Sequence, residues 1–407
     1  MKFTNSTKSI KSFLFVPLAF LLIVLSPTVK GQQLPSIQNE IGNLDSFIER
    51  KMKESGLVGM GAAIIADKKL VWSKGYGYAD KDNGKLFTTN TIMNIGSTAK
   101  NFTGVCLMKA VEEKKLSLDE DINTYLPFKV VNPYYPAEKI TLRNLATHTS
   151  SLADRNPFYG STYNYDGGTV EDLGSFMRNY FDPKGKFYSK ENFLNNKPGT
   201  YYQYSNIPAA LAGYIVERVV GKTLPEYGKQ LIFDPLKMKN TGWSLSQINV
   251  ANHSKLYERK NDTLKTIPLY TFPTYPEGGI RTSVSDLAKY FVTLLNDGNY
   301  NGVKILTAAS VKEMKRFQFN TANKPENMNV AKLNSGIFWS TKLGATRIGH
   351  NGSDPGVRVF MLSDLPQEIG VILLINTSIS DESVSFDIYD ALYKYGKTLK
   401  DAKTTVR

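Results

Sequence analysis

The sequence predicts an α+β fold: an antiparallel sheet built from both chain ends and flanked by helices, with a mainly helical lobe inserted at roughly residues 115–275. Two pairs of apolar runs predict the sheet. Residues 60–66 and 70–78 flank Asp67-Lys68-Lys69, and residues 357–362 and 369–376 flank Asp364-Leu365-Pro366-Gln367; both have the form of strands joined by a turn. The helical signals between the two pairs predict the lobe, with a cleft where it meets the sheet.

In chain order, residues 1–31 carry lysines at 2, 8 and 11, an apolar run over 13–25, and then Ser26-Pro27 and small residues near Gly31. That is the order of a secretory signal, and the run is short for a spanning helix. The expected protein is therefore secreted or periplasmic, with no membrane span once the signal is cleaved; the alternative is a segment retained as an N-terminal anchor. One domain is expected over 32–400 and a tail over 401–407. Residues 37–55 place Ile37, Ile41, Leu44, Ile48 and Met52 on one helical stripe, with Gly56 behind it. A further helix runs from Ser97 to about Glu113, followed by a connector to Pro127. Thr141 caps a short helix that ends near His148, read as a structural hydrogen-bonder. Residues 156–196 are rich in Tyr, Asn, Gly and Asp, a composition suited to the rim of a site, with one helix near 170–180. Pro208 near a first turn and Gly221 behind Val220 bracket the next helix. Residues 224–272 read as helical and then irregular. Glu277-Gly278-Gly279-Ile280 makes a glycine turn, Ser283 to Asp286 start a helix over 287–295, and a helix over 384–399 closes the domain.

The chain has 407 residues and a single cysteine, Cys106. No intramolecular disulfide is possible, and Cys106 sits in an apolar helical stretch as core. The net charge is +13. Four of those charges lie in the expected signal, and no dense Lys/Arg block with interleaved aromatics occurs, so no nucleic-acid partner is expected. The three histidines, at 148, 253 and 350, lack metal-ligand spacing. There is no Gly-x-Ser-x-Gly elbow and no phosphate loop. No metal and no cofactor is implied.

Three short motifs carry chemistry. In Ile95-Gly96-Ser97-Thr98-Ala99-Lys100, helical spacing brings the Lys100 ammonium beside the Ser97 hydroxyl. A serine needs such a neighbour to become a nucleophile, and a helix N-terminus offers amide N–H groups to an oxyanion. No other serine in the chain has a lysine three residues on. Tyr204-Ser205-Asn206, the one Tyr-x-Asn, precedes a helix. A tyrosine held beside Lys100 is a candidate base for Ser97, and Asn206 a candidate to orient Lys100 or a substrate carbonyl. His350-Asn351-Gly352, the one His-x-Gly, follows a strand-like segment, and Gly352 lets a substrate backbone approach closely.

Together with the stretch from Thr141 to Ser150, Gly278-Gly279 and Ser285-Asp286-Leu287, these motifs resemble the family of class C β-lactamases, D-alanyl-D-alanine carboxypeptidases, D-aminopeptidases and β-lactamase-fold esterases. Ser-x-x-Lys is the acylation motif of serine β-lactamases and penicillin-binding proteins. The resemblance implies their fold and an acyl-enzyme mechanism: Ser97 as nucleophile, Lys100 and Tyr204 in proton transfer, Asn206 in orientation, and an oxyanion hole from the amides of Ser97 and Ser353. One departure matters. Class C β-lactamases usually carry Lys-Thr-Gly where this chain has His350-Asn351-Gly352, and a histidine near its reference pKa is mostly neutral at pH 7. Weight therefore moves from β-lactams toward esters or peptides. The expected function is an exported serine hydrolase acting on a small-molecule or peptide substrate. The alternative is a penicillin-binding sensor that is acylated without turnover.

Overall fold

The structure is a computed structural model that describes residues 44–167, 170–260 and 263–405, with side chains to residue 402 in the last helix. The expected signal and the first turns of the helix expected from Ile37 lie outside the described residues. Seven strands form the main sheet: β1 (Gly59–Ala66), β2 (Lys69–Asp80), β3 (Lys85–Leu86), β4 (Ser340–Lys342), β5 (Arg347–Asp354), β6 (Val357–Asp364) and β7 (Ile369–Ile375). Their order is β4-β5-β6-β7-β1-β2-β3, antiparallel throughout. The two chain ends meet where β1 lies on β7, from Met60 opposite Ile375 to Ala66 opposite Ile369.

The apolar runs are continuous because the central strands are covered on both faces. Side chains of a strand alternate between faces. Met60, Ala62 and Ile64 accordingly join one core with helices α1 (Leu44–Ser55) and α5 (Ser383–Thr405), while Ala63 and Ile65 join the other. That second core contains α2 (Ala99–Glu112), α3 (Ile207–Val220) and α4 (Val284–Leu295). The β1–β2 turn places Asp67 and Lys68 at φ 48° and 62°, the paired left-handed residues of a two-residue hairpin whose twist matches the strands. No helix of the described residues is long and apolar enough to cross a membrane.

Several elements differ from expectation. The stretch over 224–272 contains a hairpin, Leu256–Lys260 with Thr263–Ile267, to which Thr377–Ser378 adds in parallel. Its second strand is largely exposed, so the apolar alternation that betrays a strand is missing. Helix α4 starts at Val284 rather than 287, because the Ser283 side chain accepts from the Asp286 amide and caps it. Residues 401–405, expected as tail, continue α5. Ser97 itself lies in a single 3₁₀ turn, Gly96–Thr98, that leads into α2.

Candidate active site

The 3₁₀ turn is set against β5 by two glycines. Gly96 has φ +49°, the left-handed region that favours glycine, and a Cβ there would lie 3.2 Å from the Ser353 amide nitrogen. A Cβ on Gly352 would meet the Ile95 carbonyl oxygen at 2.1 Å and the Ser97 amide nitrogen at 3.2 Å. Turn and strand thus pack backbone to backbone, and the amides of Ser97 and Ser353 both lie along this seam.

Lys100, one helical turn on, is fully buried. Its Nζ donates to Ser97 Oγ at 2.9 Å, Asn206 Oδ1 at 2.7 Å, the Glu277 carbonyl at 3.0 Å and Glu277 Oε2 at 2.8 Å. An ammonium has three hydrogens and no acceptor, so four oxygens share three protons. Burial opposes the charge, but Glu277 and then Tyr204 outweigh it and raise Lys100 above the ordinary lysine value. The nitrogen also sits 5.1 Å from the centroid of the Tyr204 ring. The three residues expected to form the reactive group are therefore together.

The loop carrying Tyr204 is pinned from behind. Thr141 and Asn144 form a reciprocal cap on Leu142–Ala146, and the chain leaves that helix through His148, at φ 58°. The His148 carbonyl accepts from the Gln203 amide at 2.9 Å, its Nδ1 accepts from the Ser205 amide at 3.3 Å, and its ring packs 4.4 Å from that of Tyr204. The expected structural histidine is thus a support of the site. Asp154 completes the frame: its carboxylate accepts from the amides of Asn206 and Ile207 and from Asn206 Nδ2. It caps α3 and leaves Asn206 Oδ1 turned to Lys100.

His350 is buried, and its Nδ1 lies 2.7 Å from the Asn351 carbonyl. Burial, then Lys342 and Lys100, push its pKa well below the ordinary value, so the ring is neutral at pH 7. Beyond it opens a cleft of about 380 Å³, lined by Ser97, Tyr204, Asn351 and Ser353 together with Tyr159, Tyr163, Glu277, Asp354 and Lys342. The tyrosines come from the segment read as a rim. Tyr159 donates to Glu277 Oε1 at 2.5 Å, and Tyr163 donates to Asp354 Oδ1 at 3.0 Å. Burial, with Glu277 nearby, raises Asp354 to about 7.

The beta-lactamase family model matches residues 44–394, most of the chain. The chain belongs to the beta-lactamase family. Among curated relatives, protein flp of Staphylococcus aureus strain MRSA252 is 25% identical over 335 residues, which make up 82% of this chain and 62% of flp; the chain thus spans less than two thirds of that relative's length. Among solved structures, the octameric penicillin-binding protein homologue of Pyrococcus abyssi superposes with a TM-score of 0.68 at 26% identity, over 88% of this chain and 77% of that one. The D-amino acid amidase of Ochrobactrum anthropi SV3, complexed with L-phenylalanine amide, superposes with a TM-score of 0.70 at 20% identity, over 89% of this chain and 99% of that one. This last likeness is one of fold. What the chain shares with these solved structures is the fold described above, a large antiparallel sheet flanked by helices.

Sequence reasoning placed Ser97, Lys100, Tyr204, Asn206, His350, Gly352 and Ser353, and all lie at or directly behind this cleft. It did not find Glu277, which it read only as part of a glycine turn. Nor did it single out Asp154, Asp354 or Lys342. A carboxylate beside Gly278-Gly279 was the one available signal for Glu277.

Proposed function

We propose that this chain is an exported serine hydrolase that is acylated at Ser97 by an ester or amide and then releases the acyl group to water. The observation that carries this reading is the 2.9 Å contact between Lys100 Nζ and Ser97 Oγ, made by an ammonium that Asn206 and Glu277 hold in place. A lysine that donates on every side is a fixed charge and not a base. Tyr204, in its phenolate form, takes the Ser97 proton as Oγ bonds to the carbonyl carbon. It gives that proton to the departing oxygen or nitrogen when the tetrahedral adduct collapses. A water then attacks the acyl carbon, losing its proton to Tyr204, and Ser97 leaves with that proton. Lys100 stabilises the negative charge that passes between the two oxygens, and the amides of Ser97 and Ser353 meet the oxyanion. The resemblance of residues 1–31 to a secretory signal supports export.

The neutral His350 favours esters or small D-amino-acid peptides first, peptidoglycan stem peptides next and β-lactams last. The amidase among the fold neighbours is consistent with this order. A panel of p-nitrophenyl esters, D-alanyl peptides and nitrocefin tests it, beside labelling with a fluorescent penicillin. Turnover of an ester or peptide supports the hydrolase; stoichiometric labelling with no turnover of any of them replaces it with a penicillin-binding sensor.

Glu277→Gln is expected to move the pH profile. The variant keeps an acceptor oxygen but loses the charge that opposes burial, so Lys100 falls in pKa. The alkaline fall of kcat/KM, where the ammonium is lost, then shifts to lower pH, with about a tenfold loss of rate near neutrality. An unshifted profile in folded variant protein would show that Glu277 does not hold the charge.

A further inference from the structure

Lys342, the last residue of the edge strand β4, lines the cleft with Ser97, Tyr204 and Asn351. It is half-buried, and no carboxylate of the described residues pairs with it. The two acids of the cleft are engaged elsewhere. Glu277 is tied to Lys100 and Tyr159, and Asp354 accepts from Tyr163 through Oδ1. Burial and the Lys100 charge both act against the Lys342 ammonium and lower it to about 8, with no anion to offset them. It is still largely charged at neutral pH.

The charges of the cleft can be counted. Lys100 and Glu277 cancel as a buried ion pair. Burial, reinforced by the neighbouring lysines, holds His148 and His350 neutral. Asp354, raised to about 7, is part-ionised near neutrality, but its Oδ1 accepts from Tyr163 and it makes no ion pair with Lys342. Lys342 is left as an ammonium with no carboxylate of the described residues in contact, in a wall where an unpaired ammonium costs free energy. One such charge suits a monoanion better than a phosphate dianion. Its position also has a side: Lys342 shares the cleft wall with Tyr204, the residue that protonates the leaving group in the reading above.

We propose that Lys342 binds a carboxylate carried by the leaving group of the substrate, giving the cleft the cation that His350-Asn351-Gly352 does not provide. The assignment rests on the serine-hydrolase reading for which side of the scissile bond bears the carboxylate. Hydrolysis of such an ester breaks the acyl C–O bond. The acyl group passes to Ser97 and then to water, and the hydroxy acid leaves with the proton from Tyr204.

Two esters that differ at one group test this: the phenylacetyl ester of glycolic acid and the phenylacetyl ester of glycolamide. The unaltered protein is expected to favour the acid by about tenfold or more in kcat/KM, the worth of one charge-assisted hydrogen bond. Lys342→Met should abolish that preference and Lys342→Arg should keep it. Equal rates for the two esters in the unaltered protein, or a preference that survives Lys342→Met, would overturn the assignment. Calorimetric titration of the same esters into Ser97→Ala protein separates binding from chemistry. If the unaltered protein hydrolyses neither ester, the panel above decides the hydrolase reading and the titration alone decides for Lys342. Tighter binding of the acid that is lost on adding Lys342→Met sustains the carboxylate site; equal binding, or none, removes it.

Discussion

Replacing Ser97 by alanine should abolish ester hydrolysis, with a loss on the order of 10⁴-fold or more, as expected when a nucleophile is removed from a group of residues that acts as a unit. The fold should survive. Lys100 Nζ loses one of four acceptors, and the three that remain, Asn206 Oδ1 and the two Glu277 oxygens, match its three hydrogens. The 3₁₀ turn depends on Gly96 and its backbone, not on the hydroxyl. Circular dichroism and the melting temperature should therefore stay close to those of the unaltered chain, and intact-mass spectrometry should detect no acyl adduct on the variant. An undiminished rate, or an adduct on another residue, would remove Ser97 from the mechanism.

Tyr204→Phe is expected to have the second largest effect, on rate rather than on affinity. The substitution deletes one oxygen and keeps the ring. Packing against His148 at 4.4 Å is retained, as is a weaker form of the Lys100 contact at 5.1 Å. What is lost is the group proposed to move the proton, a contribution of about 10² to 10⁴ in rate. Rapid-mixing measurements with a p-nitrophenyl ester should show the acylation rate constant falling by that factor, while the dissociation constant changes far less. A raised dissociation constant with unchanged acylation would make Tyr204 a binding residue and require another base.

Much of this site was legible in the sequence because its chemistry is local. Ser97 and Lys100 are three residues apart, and Tyr204 and Asn206 two, so a helix or a loop suffices to place each pair. The central sheet was legible because β1 and β7 are buried on both faces and carry unbroken apolar runs. Glu277 was not, because it stands 177 residues from Lys100 and nothing in its local sequence announces a partner. Lys342 was hidden for the same reason: an isolated lysine on a three-residue strand looks like any solvated one until the fold shows what surrounds it. The hairpin at Leu256–Lys260 and Thr263–Ile267 was missed because its second strand faces water. The end of α5 was missed because residues 401–405 carry no apolar stripe to extend the helix pattern.

The close seam between Gly352 and the Ile95 carbonyl joins pieces of chain from opposite ends of the sequence. Ser97, the proposed nucleophile, rides on one of them and the facing strand edge on the other. A slip of β5 by a single residue would swap a side chain into a gap that accepts only hydrogen. Catalytic competence is thereby coupled to strand registration across the whole sheet. Heat inactivation should accordingly track the cooperative melting of the molecule, with no cooler phase in which an intact scaffold has already lost its activity.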